Sequence, residues 1–251
     1  MKNSVELLDY MGSDKHHSLA AWASTFFELD IPLPKNHKLR VDQIVDHILS
    51  KSTKMRSMED LLNYLANENH ESPFRMSSFM FGMTTDIATH IQKLKHAVIV
   101  EAENAESHKY KELKENKYYL PEDWKGISIS TENKDEYNDL INLIGAEDNW
   151  YSILDNISKV TNKLYHSSLQ DISPILSKKR AKETSRYFKL YNSQLNSVNK
   201  FSFAGVMMFH KKRTVPFAQE EIKDVASQMV KCIAEIEGEP FKYSLKAFGI
   251  N

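Results

Sequence analysis

Glycine and proline are scarce in this chain, with seven of each among 251 residues. These residues supply most tight turns, so a chain with so few of them does not suit a turn-rich β-sandwich. Long helices connected by a limited number of loops are favoured instead. The length is sufficient to bury a substantial core. We predict an α+β fold, mainly helical with a central antiparallel or mixed sheet, as one domain over residues 1–251.

Apolar periodicity predicts where the elements lie. Predicted helices cover residues 17–29, 41–49, 58–66, 86–96, 134–165 and 220–236, and the helix at 134–165 is broken near Gly145. A further helix is introduced by Pro174 and Ser177 and ends near Tyr191. Ser57 is predicted to cap the third of these helices and Thr85 the fourth. Strands are predicted at 77–83 and 97–100, and a loop at 31–38. Residues 198–209 fit a strand or a buried helix equally well.

Charge and cysteine content exclude several classes of function. The chain carries 33 basic and 34 acidic residues, so no global basic field favours a nucleic-acid partner. A single cysteine, Cys232, excludes an intrachain disulfide and fits a reducing compartment. The N-terminus has no signal-peptide core, and no window approaches the ~20 apolar residues of a membrane span. We expect a soluble, cytoplasmic protein without a membrane partner.

Common catalytic motifs are absent from the sequence, including the glycine-rich phosphate loop, the G-x-S-x-G elbow and the H-E-x-x-H helix. The ten histidines are scattered or near an end, so each is expected to be a surface or capping residue. No metal site is predicted.

A first polar cluster begins on the predicted helix 86–96. Gln92, Lys95 and His96 share a helical face by their i, i+3, i+4 spacing. The segment AENAESHKY then supplies further hydrogen-bonding groups from Asn104, Ser107, Lys109 and Tyr110. This composition suits an anionic, oxygen-rich ligand. A solvated charged loop explains the same residues and stays open.

Two further clusters are basic. The segment SKKRAKETSRY contains Lys178, Lys179, Arg180, Lys182 and Arg186. Lys182 and Arg186 are four residues apart and could face one phosphate, although charge pairing on an exposed helix is the simpler explanation of this segment taken alone. Residues 210–213 (HKKR) directly follow the apolar run FAGVMMF. They mark either the emergence of the chain into solvent or a cleft that binds a phosphate or a pyrimidine carbonyl.

The order of these segments resembles that of the flavin-dependent thymidylate synthases, ThyX, especially phage-type members. The resemblance is carried by HESPF, an aromatic strand, I-x-x-x-I-Q, NAESHKYKE, YYLPEDW, KRAKETSRY, FAGVMMFHKKR and AQEEI. It is strongest over residues 70–124 and 173–248. The resemblance implies a ThyX-like fold. It also implies a homotetramer with shared active sites that methylates deoxyuridylate at C5, using methylenetetrahydrofolate, NADPH and FAD.

Several nucleotide-contacting positions of ThyX are matched here. By resemblance, Gln92 reaches the base, while Ser107 and Lys109 hold the phosphate. Lys109 replaces an arginine, so the planar two-pronged contact would be lost. Tyr110 closes that motif and Arg186 is a second phosphate ligand. Arg213 falls on the arginine that polarises the uracil ring, and it is the expected catalytic residue.

The positions that resemble flavin contacts are mostly changed. Lys95 and His96 fall on the opening of the Arg-His-Arg signature, but Ala97 follows, and the spacing to Asn104 is longer than in the family. Apolar or small side chains replace other polar family residues at Met76, Ala105, Ser202, Ala204, Met208 and Phe217. Each charged contact to a phosphate contributes roughly 1.5–3 kcal/mol. FAD is therefore implied by the resemblance but expected to bind weakly or not at all.

Three hypotheses for function follow. The chain is a thymidylate synthase-like methyl or hydroxymethyl transferase acting on deoxyuridylate, with methylenetetrahydrofolate as donor. Alternatively, it is a non-catalytic subunit that pairs with an active ThyX paralogue, or a nucleotide-binding regulator. A homotetramer or a hetero-oligomer is expected accordingly. The location is the host cytoplasm if the chain is phage-encoded.

Overall fold

A computed structural model describes residues 1–23, 35–51, 56–95, 99–107, 111–112 and 117–250, with the side chain of Lys38 excepted. Within these ranges four strands form one antiparallel sheet in the order β1-β2-β4-β3. The strands are β1 (Ser4–Met11), β2 (Ser78–Asp86), β3 (Ala102–Ala105) and β4 (Gln194–Ser202). The fold is mainly helical, so the predicted α+β class is confirmed.

Helices occupy most of the remaining described chain. They are α1 (Asp14–Ala21), α2 (Arg40–Lys51), α3 (Met58–Asn67), α4 (Ile87–Leu94), α5 (Thr131–Ile144), α6 (Trp150–Leu176), α7 (Lys178–Ser185), α8 (Phe203–Arg213), α9 (Glu220–Ala234) and α10 (Lys242–Ala247). None of the helices in the described ranges is long and apolar enough to cross a bilayer. The first predicted helix begins earlier than expected, at Asp14, and its residues 24–29 lie outside the described ranges.

Local sequence signals explain several helix boundaries. The Ser57 hydroxyl accepts a hydrogen bond from the Asp60 backbone N–H at 3.1 Å, which confirms the predicted cap of α3. Gly145 ends α5 with φ +66°, a left-handed conformation that glycine adopts without a steric penalty. The predicted break near Gly145 is therefore confirmed.

Other predicted boundaries were wrong. Asp86, not Thr85, caps α4: its carboxylate accepts the Thr89 backbone N–H at 2.9 Å. Pro174 does not begin a helix but lies in the last turn of α6, where its missing N–H costs only one hydrogen bond. Ser177 does cap α7, which ends at Ser185 rather than near Tyr191.

The strands also differ from prediction. The strand predicted at 97–100 lies at Ala102–Ala105, and residues 97–98 are outside the described ranges. The ambiguous run 198–209 contains both a strand and a helix, because β4 ends at Ser202 and α8 begins at the next residue. The N-terminal strand β1 was not predicted; its alternating pattern is weak, and most of its side chains are exposed.

The chain divides into two compact units. Unit 1 comprises Met1–Ser4, Met83–Gln92 and Asn104–Ser197, and unit 2 comprises Val5–Gly82, Lys93–Glu103 and Val198–Asn251. Unit 1 packs apolar side chains between α5 and α6 and between α6 and α7. These side chains are Ile129, Ile141 and Ile153 in one cluster, and Tyr165, Leu169 and Ala181 in another. The prediction of one domain over residues 1–251 stays a prediction.

Unit 2 has an aromatic core. Fully buried phenylalanines come from β2, β4, α8 and the segments around them, and Phe203 stacks on Phe241 with ring centroids 5.8 Å apart. Its members are Phe74, Phe79, Phe81, Phe201, Phe203, Phe209 and Phe241. Aromatic pairs at such distances add to the stabilisation that burial itself provides.

A histidine lies inside this aromatic core. His17 of α1 is completely buried, so the expectation that every histidine is a surface or capping residue was wrong here. Its Nδ1 lies 2.8 Å from the Ser244 hydroxyl, and its Nε2 lies 2.8 Å from the Ser77 hydroxyl. The Ser244 hydroxyl donates to Asp14 at 2.5 Å. Burial lowers the pKa of His17 to about 3, with a smaller contribution from His16.

This lowered pKa predicts an acid-sensitive fold. As the pH falls, the unfolded chain binds the His17 proton first, so stability is lost between about pH 6.5 and about pH 3. Within that window the free energy of unfolding falls by about 1.4 kcal/mol per pH unit. The variant His17→Gln keeps hydrogen-bonding groups but lacks the titration, and its urea-unfolding free energy should fall less steeply with pH.

The matched control is His37→Gln, which changes an exposed histidine and should keep the wild-type pH slope. An identical pH slope in wild type and His17→Gln would contradict the assignment.

Candidate functional site

The segment that carries Ser107 is anchored to the central strand of unit 1. The Glu106 backbone N–H donates to the Asn196 carbonyl at 2.8 Å. The Glu106 carboxylate in turn accepts from the Asn196 backbone N–H at 3.0 Å and from its side-chain amide at 2.9 Å. Three hydrogen bonds between two residues fix both the position and the direction of the chain at this point.

Cations complete the anchor. Lys111 forms an ion pair with Glu106, and the Lys117 ammonium lies 3.5 Å from the same carboxylate. Lys117 also donates to the Asn196 side-chain oxygen at 2.7 Å. Partial burial alone would raise the pKa of Glu106, but its hydrogen bonds and the two lysines outweigh burial and lower the pKa to about 2. The carboxylate is therefore ionised at every physiological pH.

Ser107 directly follows this anchor. Its side chain is exposed, and within the described chain its hydroxyl forms no hydrogen bond, while its carbonyl accepts from the Lys111 backbone N–H at 3.1 Å. The hydroxyl is thus available for a ligand although the backbone beneath it is fixed. The other two residues predicted in this motif, Lys109 and Tyr110, lie outside the described residues.

Arg186 lies where α7 ends. Ser177 begins that helix by accepting the Arg180 backbone N–H at 3.4 Å, and Arg186 opens a short 3-10 turn at its other end. The Arg186 side chain is exposed and has no carboxylate within 4.0 Å among the described residues. An arginine in this state offers its planar fork of donors to a phosphate without first breaking an ion pair.

Gln92 and Lys95 lie at the end of α4. Gln92 is half-buried in unit 1, and Lys95 is exposed in the turn that follows the helix in unit 2. His96 lies outside the described residues. The shared face of Gln92, Lys95 and His96 therefore stays a prediction, and so does the cofactor role of Lys95 and His96.

A buried ion pair fixes the end of α4 in unit 2. Lys93 is 1% exposed, and its ammonium donates to Glu103 at 2.7 Å and to the Asn199 side-chain oxygen at 2.6 Å. Burial lowers the pKa of Lys93, and the hydrogen bond and charge of Glu103 oppose that effect. Removing one partner of such a pair typically costs 3–5 kcal/mol, because the other charge is left buried. The pair joins α4 to β3 and β4.

Arg213 is the last residue of α8 and is half-buried in unit 2. The helix can begin directly after β4 because the Ser202 hydroxyl accepts the Gly205 backbone N–H at 3.2 Å. Gly205 suits a close approach of the backbone at this point, because a Cβ there would lie only 3.0 Å from the Ile99 carbonyl oxygen. Ser202 and Gly205 thus fix the start and the direction of α8, and therefore the position of its basic last turn.

Three positions that resemble flavin contacts line a cleft of unit 2. Ala204, Met208 and Phe217 lie on the wall of this cleft, which has a volume of about 1020 Å³. Ser202 is 1% exposed and its hydroxyl is occupied by the cap of α8. Met76 is 53% exposed. At these positions a methyl, two thioethers and a phenyl group are present, and none of them hydrogen-bonds to a phosphate.

The structure assigns the predicted site residues to both units. Gln92, Ser107 and Arg186 belong to unit 1, whereas Lys95 and Arg213 belong to unit 2. Within the described residues, no group of three or more histidine, cysteine, aspartate or glutamate side chains could hold a metal ion.

Comparison with known families settles the kinship of the chain. The model of the thymidylate synthase complementing proteins, the ThyX family, matches residues 6–237. The chain belongs to this family. The resemblance drawn from the sequence motifs is thereby confirmed. Comparison with curated protein sequences gives no significant match.

Solved structures show the same fold as this ThyX-family chain. The UMP/dUMP methylase PolB from Streptomyces cacaoi, bound with 5-Br dUMP, has a TM-score of 0.64 at 19% identity, covering 99% of this chain and 95% of PolB. A second PolB structure, bound with 5-Br UMP, has a TM-score of 0.60 at 20% identity, with coverages of 99% and 94%. At such identities the similarity establishes the fold alone.

The residues that support the ThyX motif positions were missed by sequence reasoning. Glu106 and Lys117 are ordinary charged residues in a charged segment, and nothing local marks them as partners of Asn196. Lys93 did carry a signal. It shares the spacing i, i+3, i+4, i+7 with Asp86, Thr89 and His90, and all four are buried.

The Glu106 anchor gives a direct stability prediction. Glu106→Ala leaves the Asn196 amide without its acceptor and should lower the unfolding free energy by about 1–3 kcal/mol, measured by urea denaturation near pH 7. The carboxylate contribution is present above about pH 4.5 and is lost as the pH falls toward about 2. Asp139→Ala, which removes an exposed carboxylate on α5, is the control and should be nearly neutral. Equal effects of the two substitutions would contradict the anchor.

Proposed function

We propose that this chain binds a deoxyuridylate-type pyrimidine nucleotide, with Ser107, Lys109 and Arg186 holding the phosphate and Gln92 reaching the base. The observation that carries the proposal is the state of Ser107 and Arg186 in unit 1. Ser107 offers a free hydroxyl on a segment fixed by the Glu106 anchor, and Arg186 has no carboxylate partner in the described chain. A hydroxyl on an anchored backbone segment binds an anion at a low entropic cost, and an arginine without an ion-pair partner has none to break.

Two further residues complete the proposed contacts. Tyr110 closes the phosphate motif, and Arg213 contributes the arginine that polarises the uracil ring. An arginine beside the ring stabilises negative charge on the carbonyl oxygens, which makes C5 a better nucleophile. Arg213 is for this reason the proposed catalytic residue. The nucleotides in the two PolB structures agree in chemical class with the proposed ligand.

The proposed reaction is transfer of a one-carbon unit from methylenetetrahydrofolate to C5 of the uracil ring, with loss of the C5 proton and release of the folate. Addition of water to the transferred methylene gives a hydroxymethyl group without any redox change. A methyl product additionally requires a hydride donor, for which a reduced nicotinamide nucleotide is the proposed class. ThyX-family membership supports this reaction class. We further propose that the flavin site is degraded. FAD carries hydroxyl, ring-nitrogen and pyrophosphate groups that need partners when buried, and Ala204, Met208 and Phe217 supply none. The flavin does not fit these positions, so no step is assigned to it.

The second candidate is a non-catalytic ThyX-like subunit or nucleotide-binding regulator that pairs with an active paralogue. It is favoured by the state of Ser107 and Arg186 together with the apolar side chains at the flavin-like positions. A chain that keeps phosphate ligands and lacks flavin contacts can bind the nucleotide without catalysing a reaction. Under the first candidate we propose a homotetramer, and under the second a hetero-oligomer. A phage origin and a cytoplasmic location complete the proposal.

A titration with deoxyuridylate tests the proposed ligand. Wild-type protein should bind the nucleotide, and Arg186→Ala and Arg213→Ala should each weaken binding about tenfold to a hundredfold, because a charged hydrogen bond contributes roughly 1.5–3 kcal/mol. Isothermal titration calorimetry measures the change. Lys178→Ala is the control, since it removes an exposed cation from the same basic segment as Arg186 and should leave the affinity unchanged. Wild-type binding that neither arginine variant weakens would refute the site.

Two readouts separate the candidate functions. Release of tritium from deoxyuridylate labelled at C5, in the presence of methylenetetrahydrofolate, indicates substitution chemistry, and Arg213→Ala should abolish it. Binding without tritium release supports the non-catalytic alternative. The absorbance spectrum of the purified protein should show little or no flavin. Tight, stoichiometric flavin would contradict the degraded cofactor site while leaving the nucleotide site standing.

A further inference from the structure

The unit 2 cleft remains open although its flavin-like positions have become apolar. Its volume of about 1020 Å³ lies at the upper end of the range typical for pockets that enclose drug-sized ligands. The apolar part of its lining comes from α3, α8 and the C-terminal residues. These side chains are Leu65, Phe74, Met207, Met208, Val215, Phe217 and Phe248. Met207 and Phe74 are buried, so the floor of the cleft is part of the aromatic core.

Charge is concentrated on one part of this cleft. Lys211 and Lys212, in the last turn of α8, both line it and are exposed. Neither ammonium has a carboxylate within 4.0 Å among the described residues. The one acidic residue of the lining, Glu71, is already paired with Arg75 at 3.1 Å. The cleft therefore combines apolar walls with a net positive rim.

We propose that this cleft binds a small organic anion with an extended apolar body, and that it is not a flavin dinucleotide site. The apolar body is matched by the thioether and phenyl walls, and the anionic group is matched by Lys211 and Lys212. A flavin dinucleotide is disfavoured because the positions of this wall that resemble flavin contacts, Ala204, Met208 and Phe217, have no hydrogen-bonding side chain for its polar groups. The inference concerns a second ligand and does not depend on the nucleotide site.

A simpler role for the two lysines is stabilisation of α8, since cations in the last turn interact favourably with the helix dipole. That role predicts an effect on stability but none on ligand affinity. The two accounts therefore differ in a single measurable quantity, the affinity for an amphipathic anion.

The experiment compares two fluorescent probes that differ mainly in charge. One is 8-anilinonaphthalene-1-sulfonate, and the other is its uncharged relative N-phenyl-1-naphthylamine. We expect saturable binding of the sulfonate at one site per chain, with an affinity about tenfold higher than that of the neutral probe. In Lys211→Gln/Lys212→Gln this preference should disappear. The matched control, Lys178→Gln/Lys179→Gln, removes two exposed lysines from α7 of unit 1 and should keep the preference.

Two further variants locate the probe. Met208→Glu places a carboxylate on the cleft wall and should weaken the sulfonate probe at least tenfold. Phe217→Ala removes a side chain that is 90% exposed, so it can be made without disturbing the core, and it should weaken both probes. Circular dichroism verifies that each variant is folded.

The proposal is overturned if the two probes bind wild type equally, or if the Lys211/Lys212 variant keeps the charge preference. Displacement of the sulfonate by stoichiometric FAD would overturn the claim that the cleft is not a flavin site. The probe titrations contain no deoxyuridylate, so their failure does not bear on the proposed deoxyuridylate site. Failure of the deoxyuridylate titration likewise does not bear on the cleft.

Discussion

Strand β4 carries polar anchors on both faces, and the arrangement of the candidate residues depends on them. Asn196 is exposed and Asn199 is buried, because side chains alternate between the two faces of a strand. In unit 1, Asn196 fixes Glu106 and with it the backbone of Ser107. In unit 2, Asn199 and Glu103 hold the buried ammonium of Lys93 at the end of α4. Buried polar groups are stable only when their partners are in place, so the contacts of Lys93 and Asn199 specify one arrangement at the end of α4.

The same strand runs directly into α8 without a loop. Ser202 ends the strand and begins the helix, and Gly205 permits the close approach of the Ile99 carbonyl. The helix then carries apolar residues into the core and ends in a basic turn that contains Arg213. A short sequence thus links the strand that organises the anchors to the proposed catalytic arginine. Ala204 and Met208, at positions that resemble flavin contacts, line the cleft and suit this helix, because both residues have good helix propensity.

The sequence predicted the elements that have a clear apolar period, a local cap or a terminating glycine. The helices α3 and α9 and the break at Gly145 fall in this class. It could not separate strand from helix at 198–209, because the run joins the end of a strand to the start of a buried helix and no single period spans it. The strand β1 was missed since most of its side chains are exposed, and its pairing is visible only in the sheet.

The candidate site could be located from the order of its motifs but not from physical pattern alone. Ser107 and Arg186 look like members of solvated charged segments until the ThyX order is recognised, and family membership is now established. Their supporting residues are remote in sequence: Glu106 and Asn196 are 90 residues apart. Contacts of that range depend on the tertiary fold. Lys93 was detectable in principle, as a lysine on the buried face of a short helix.

The most direct test of the account is a crystal structure of the protein with 5-bromodeoxyuridylate. The account predicts that the nucleotide phosphate lies within hydrogen-bonding distance of the Ser107 hydroxyl and the Arg186 guanidinium, whether one protomer or two neighbouring protomers supply them. A phosphate bound away from both residues would contradict the account, whatever the position of the uracil ring.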